Sequence, residues 1–247
     1  MKNRPFDTSG IPGWLNRYEP FLLLMFAALS GGILLFIYLT DEVLEGSTRG
    51  FDEAILLALR QPGNLSVPIG PGWLTHAVRD ITSLGGTTVL ALMTVLVTIY
   101  LLLDRQRAIA IFILASVLGG WALSRALKID VARSRPDIVP HLVEVHDLSF
   151  PSGHAMVSAV TYLTLAALIS STRTNRSTRT FTVAAGILLT LMIGASRVYL
   201  GVHYPTDVLG GWCAGATWAL GCWIIARRSI SPSRNGEGTR SDAPPPE

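Results

Sequence analysis

Charge is what this chain has least of: only 15% of its 247 residues are Asp, Glu, Lys or Arg, against about 25% in an ordinary soluble domain. So few charges cannot clothe a water-facing surface, and an ordinary soluble domain is excluded. Cysteine is rarer still. Cys213 and Cys222 fall in one expected helix, about 13 Å apart along its axis, too far to bridge. They read as small apolar packing residues, with a redox or metal role as the alternative. A small-residue cleavage site is also missing behind the first apolar run, so that run reads as a retained span and not a removed signal peptide. No internal repeat is visible.

Hydrophobic residues make up 49% of the sequence and the mean hydropathy is +0.43. Apolar runs near the ~20 residues needed to cross hydrocarbon recur along the chain, so the expected fold is all-α, a polytopic bundle of six membrane-spanning helices. The expected spans are 21–39, 87–103, 108–127, 154–169, 181–200 and 207–226. Residues 41–85 read as interfacial, with an amphipathic piece at 51–59, a Pro- and Gly-rich turn at 61–73, and Trp73 either at headgroup depth or in ordinary packing. The short turn 104–107 makes the helices around it antiparallel neighbours, and 128–152 reads as a polar loop. Residues 1–20 then form a cytoplasmic segment, 21–228 the membrane domain and 229–247 a disordered tail rich in Ser, Gly and Pro.

The net charge of +3 and isoelectric point near 9.1 raise the question of nucleic acid, but the basic residues are scattered over loops. Positive-inside topology accounts for them better, and no nucleic-acid partner is expected. The side shared by the termini holds Lys2, Arg4, Arg17, Arg105, Arg107, the arginines at 173, 176 and 179, and Arg227 and Arg228. Most carboxylates from Asp41 to Asp147 lie on the other. Both termini are therefore expected in the cytoplasm, in what reads as a bacterial inner membrane.

Three polar clusters interrupt the apolar pattern where spans end or begin, all on the outward, periplasmic side. The first is Lys128 with Arg135-Pro136: a guanidinium fork matches two phosphate oxygens and an ammonium adds a mobile charge, although cations beside a membrane also meet lipid headgroups. The second is Pro151-Ser152-Gly153-His154, with Ser152 as a helix N-cap and Gly153 allowing close backbone approach. The free amides of that helix start form an anion site, unless the tetrapeptide is simply a helix start. The third is Ser196-Arg197, His203 and Asp207. Asp207, one turn beyond His203, can accept from one imidazole nitrogen and turn the other outward, the base-plus-orienter arrangement of a nucleophilic site, with a helix-capping His-Asp contact as the alternative. Such a set is suited to gripping an anion and acting on it.

Taken together, Lys128-x6-Arg135-Pro136, Pro151-Ser152-Gly153-His154 and Ser196-Arg197-x5-His203-x3-Asp207 resemble the three-part signature of the type-2 phosphatidic acid phosphatase superfamily, and the six-span layout is similar to its membrane-embedded branch. The resemblance covers residues 128–207 and is complete within them. It implies that His203 is a nucleophile that becomes a phosphohistidine, that Asp207 orients it, and that His154 protonates the leaving oxygen and later helps activate water. Lys128, Arg135, Arg197, Ser152 and the Gly153 amide would hold the phosphoryl oxygens. Phosphoryl transfer asks mainly for positioning and charge stabilisation, which cations and a helix N-terminus supply, so no cofactor and no metal are expected.

The expected activity is hydrolysis of a lipid phosphate or pyrophosphate such as phosphatidate, phosphatidylglycerol phosphate or undecaprenyl pyrophosphate. A phosphotransferase using the same site, a non-catalytic transporter or binder of anionic lipids and, more distantly, a vanadate-dependent haloperoxidase are the alternatives. His141 and His146, near Glu144 and Asp147, match no metal-ligand spacing and read as loop residues. Gly211 and Gly215 form a small-xxx-small pair that favours close helix packing, within the bundle or across a homodimer.

Overall fold

The structure, a computed structural model, describes the backbone over residues 15–230 and side chains over residues 23–226. The expected N-terminal segment as far as residue 14 and the tail from residue 231 lie outside the described residues. Among the described residues there are eight helices: α1 (Leu15–Glu45), α2 (Arg49–Ala58), α3 (Gly72–Ser83), α4 (Thr87–Leu103), α5 (Arg107–Val131), α6 (Gly153–Thr172), α7 (Arg176–Tyr199) and α8 (Pro205–Ile230). Between α2 and α3 runs a small antiparallel hairpin, β1 (Arg60–Gln61) with β2 (Asn64–Pro68), where only a turn was expected.

Helices α1, α5, α6, α7 and α8 are each long and apolar enough to span a membrane. The expected second span is different. With 17 residues, α4 reaches about 26 Å, short of a ~30 Å hydrocarbon core. It joins α3 across Leu84, Gly85 and Gly86 with a bend of 46°, so a sixth crossing exists only as this broken pair. The bend is held from within: Tyr162 Oη on α6 donates to the Leu84 carbonyl at 2.8 Å, and a Cβ on Gly85 would lie 2.3 Å from Ile193 Cγ2.

α6 is the centre of the bundle. Residues 155–162 are buried all round, the pattern of a helix enclosed by others rather than one with a single apolar stripe; α5, α7 and α8 surround it. In the α6–α8 seam, backbone meets backbone. A Cβ on Gly211 would come 2.7 Å from the Ser152 carbonyl oxygen, and one on Gly215 2.5 Å from that of Met156. Both glycines thus pack against α6 of the same chain, the contact within the bundle that was one of the two roles expected of the pair.

Several boundaries move from the sequence reading. α5 continues four residues past its expected end, closing at Ala132 in the left-handed region (φ 49°), so Lys128 belongs to a helix and not to the loop. α7 starts at Arg176, where Asn175 Oδ1 caps the amide of Ser177 at 2.8 Å.

Replacing either seam glycine forces backbone apart, an overpacking cost of about 1–3 kcal/mol. Gly215→Ala is expected to lower the detergent-solubilised protein's unfolding temperature. Gly31→Ala, where a Cβ meets nothing within 4 Å, should leave it unchanged or raise it slightly. Equal effects of the two would refute the seam.

Candidate active site

The end of α7 sets the site's geometry. Arg197 lies in its last turn, and the chain then reverses through a Schellman turn in which Gly201 N–H donates to Val198 O at 2.9 Å and Val202 N–H to Arg197 O at 3.2 Å. This turn needs the left-handed backbone that Gly201 adopts (φ 75°). A side chain would also collide with Arg60, whose Nη2 lies 2.5 Å from the place of its Cβ. Arg60 donates through Nη1 to the Tyr199 carbonyl at 3.0 Å and so closes the end of α7. His203 follows at once, and Pro205 starts α8, where its missing N–H costs nothing.

His203 is 1% exposed. Its Nδ1 lies 3.3 Å from Asp207 Oδ2 and 3.3 Å from Ser149 Oγ, while Nε2 lies 3.2 Å from Arg135 Nη1. Burial, then the charges of Arg135, Arg197 and Lys128, hold the imidazole well below its usual pKa. At neutral pH it is uncharged, with Nδ1–H directed at Asp207 and the Nε2 lone pair on the cationic side.

Asp207 has no exposed surface, and a bare carboxylate there would be untenable. It is not bare. Arg133 Nη1 donates to Oδ1 at 2.8 Å, and Oδ2 accepts from Ser149 Oγ at 2.5 Å and from the Tyr204 amide at 2.8 Å. The last contact is a capping-box bond from the third position of α8 back to its cap. Arg133 is shared: its Nη2 donates to Asp52 Oδ2 at 2.8 Å, and its guanidinium lies 4.2 Å over the Tyr204 ring. Asp52, equally buried, accepts from the Thr206 amide at 3.0 Å and from its hydroxyl at 2.6 Å. A carboxylate from α2 therefore caps the positive end of α8 beside the one α8 supplies itself.

Opposite His203 lie the other cations. Lys128 is 5% exposed and Arg197 3%. Lys128 Nζ pairs with Asp147 Oδ2 at 3.2 Å, and Arg135 pairs with Asp147 Oδ1 while donating to the Val202 carbonyl at 2.6 Å. Burial alone would raise the Asp147 carboxyl, but Lys128 and Arg135 outweigh it and hold it at about 2. Arg197 donates to Thr82 Oγ1 at 3.1 Å, yet its Nε is buried without a partner. Ser152 occupies the N-cap of α6 as expected, but its hydroxyl makes no capping bond and is likewise buried and unpartnered. Its amide donates to the Asp207 carbonyl at 2.9 Å, which ties the start of α6 to the start of α8.

Lys128, Arg135, Gly153, His154, Arg197 and His203 all edge one cavity of about 830 Å³, which runs down between α4 and α5 past Thr94, Leu114 and Leu118. Every candidate from the sequence thus gathers at one end of the bundle. His141 Nε2 lies 2.7 Å from the Pro136 carbonyl, and among the described residues no three His, Cys, Asp or Glu side chains group as a metal site. Sequence reasoning missed Ser149, Asp147, Arg133 and Asp52. The first three sit within a few positions of the signature and were open to suspicion, whereas Asp52 lies 81 residues before Arg133 with nothing local to mark it.

The model of the PAP2 superfamily matches residues 108–231. Among characterised proteins the chain is 32% identical over 187 residues to phosphatidylglycerophosphatase B of Bacillus subtilis, covering 74% of this chain and 86% of that one. It is 33% identical over 129 residues to an undecaprenyl-diphosphatase of Sulfolobus acidocaldarius, covering 50% and 55%. Its structure superposes on that of a transmembrane PAP2 type phosphatidylglycerolphosphate phosphatase from Bacillus subtilis with a TM-score of 0.75 and 27% identity, over 84% of this chain and all of that one.

Two expectations follow from the electrostatics. In nitrogen-labelled protein, the His203 ring, assigned by comparison with His203→Gln, should stay neutral as the pH falls to 6; titration near the ordinary 6.5 would contradict the buried, cation-flanked placement. Asp147 stays ionised until the pH approaches 2, so it occupies Lys128 and Arg135 throughout the assay range and competes with any arriving anion. Asp147→Asn should lower the inhibition constant of inorganic phosphate about fivefold, the worth of roughly one partly screened charge. An unchanged or raised constant would argue against that competition.

Proposed function

The chain belongs to the PAP2 superfamily and is a membrane-embedded hydrolase of phosphoric esters, and from that premise we propose that it dephosphorylates a lipid through a phosphohistidine formed on His203. The observation that carries this reading is the clamped imidazole, with Nδ1 against Asp207 at 3.3 Å and Nε2 against Arg135 on the cavity side. A group that merely bound an anion would have no use for a neutral, oriented nitrogen lone pair.

In the proposed cycle, His203 Nε2 attacks phosphorus while the bond to the lipid oxygen breaks and His154 gives that oxygen a proton. Water then attacks the phosphohistidine as His154 takes a proton from it, the N–P bond breaks, and phosphate leaves. Asp207 stabilises the imidazolium character that grows on His203 during the first step. Lys128, Arg135 and Arg197 neutralise the equatorial oxygens, the Gly153 amide donates to one of them, and the unpartnered Ser152 hydroxyl and Arg197 Nε are donors free for the same purpose. The cavity between α4 and α5 offers the hydrocarbon tail a lane that stays within the membrane. The basic residues around the termini favour a cytoplasmic location for both ends and a periplasmic site. The substrates named for the relatives, a phosphatidylglycerol phosphate and an undecaprenyl diphosphate, are the leading candidates for this chain.

Phosphate release from these lipids and from phosphatidate, measured in detergent with EDTA present, should fall at least about a thousandfold in His203→Ala. Acid-labile, base-stable phosphoryl label should appear on the wild-type protein only. Arg197→Ala should lose about 10²–10³-fold, as when one transition-state donor is removed, while Arg176→Ala at the other end of α7 should change little. No release from well-folded wild-type protein would refute the reading, and equal behaviour of the two arginine variants would refute the phosphate-binding assignment.

A further inference from the structure

One face of α5 lines the cavity from its lipid-facing depth to its polar end. Leu114, Leu118, Trp121, Arg125 and Lys128 all border it, recurring at three- and four-residue steps, which is how one stripe of a helix is spaced. Their chemistry is ordered as well as their position. Lys128 belongs to the phosphate cradle beside His203. Leu118 and Trp121, 61% and 50% exposed, suit hydrocarbon. Arg125 stands between them, about 4.5 Å further from the polar end than Lys128 at 1.5 Å per residue.

Arg125 differs from the cradle cations in what it touches. Lys128 and Arg135 share Asp147, and Arg197 donates to Thr82. Arg125 is exposed, and among the described residues nothing pairs with it. A guanidinium within a span and open to a cavity is costly unless an anion or water meets it there, and its planar fork suits a phosphate.

We propose that Arg125 binds a second phosphate of the substrate, the one that remains on the lipid after the reacting phosphate has been removed. This rests on the phosphatase reading and adds a specificity to it. The sequence of groups along α5, cradle cation, second cation, apolar stripe, matches the sequence of groups in a lipid that carries two phosphates in series: terminal phosphate, inner phosphate, hydrocarbon. When the P–O bond to the terminal phosphorus breaks, its electron pair stays on the bridging oxygen, which takes the proton from His154, and the Arg125 guanidinium offsets the charge that the inner phosphate carries. A lipid with one phosphate places its glycerol or alcohol oxygen at that point and makes no use of the arginine.

The test uses two lipids that differ by one phosphate, dioleoyl diacylglycerol pyrophosphate and dioleoyl phosphatidate, in identical mixed micelles. The readout is the ratio of their kcat/KM values. Arg125→Gln should lower that ratio about ten- to a hundredfold, the worth of a charge-assisted phosphate contact, and Arg125→Lys should recover part of it. Arg107→Gln, at the opposite end of α5, should leave the ratio as in the wild type. A ratio unchanged in Arg125→Gln, including one in which both rates fall together, overturns the proposal, since a membrane anchor or a general packing defect would act on both lipids alike. Failure of the wild-type protein to release phosphate from either lipid, and from phosphatidylglycerol phosphate and undecaprenyl diphosphate in the same micelles, would instead overturn the phosphatase reading, and the subsite with it.

Discussion

The structure depends on making two buried carboxylates tolerable at the start of one helix. Asp207 must be ionised to orient His203, yet it has no access to water, and Asp52 beside it is equally enclosed. Arg133 lies between them at 2.8 Å from each, and the amides of Tyr204 and Thr206 and the hydroxyls of Ser149 and Thr206 donate to them as well. Removing one partner of such a buried set costs about 3–5 kcal/mol, because it leaves an uncompensated charge. The positive end of α8, which would otherwise leave amides unsatisfied, becomes part of the solution. Catalytic orientation and helix capping are thus the same set of bonds.

From this constraint the rest of the site can be understood. A neutral His203 survives among cations because burial and their field both oppose its protonation, and Asp207 accepts from its Nδ1 without being neutralised, since Arg133 shares its charge. The cations in turn are kept in place by two loops: Asp147, between α5 and α6, braces Lys128 and Arg135, and the Val202 carbonyl, between α7 and α8, fixes the Arg135 fork. Electrostatic catalysis rewards donors that need not move when charge develops, and these side chains are held before any ligand arrives.

Most of this was legible in the sequence where the physics is local. His203 and Asp207 sit one helical turn apart, Ser152 and Gly153 mark a helix start, and apolar runs announce their own spans. Legibility failed where the determinant is distant or shared. Asp52 looked like one polar residue of a surface amphipathic piece, because only the folded chain brings it to Arg133 and Thr206. The expected second span ignored α3, since a 46° break at Leu84 to Gly86 is fixed by Tyr162 from another helix. Lys128 was assigned to a loop because charge suggests water, although burial among partners lets α5 continue beyond it. The hydroxyl of Ser152 was expected to cap its helix, and the fold instead leaves it unspent.

The seam between α6 and α8 has a mechanical side. His154 and His203 belong to the beginnings of these two helices, and the bond from Ser152 to Asp207 together with the backbone-close contacts at Gly211 and Gly215 locks their axial register. Sliding one helix along its axis against the other would have to break these contacts, so the spacing of the two imidazoles is set by backbone packing and not by the side chains between them.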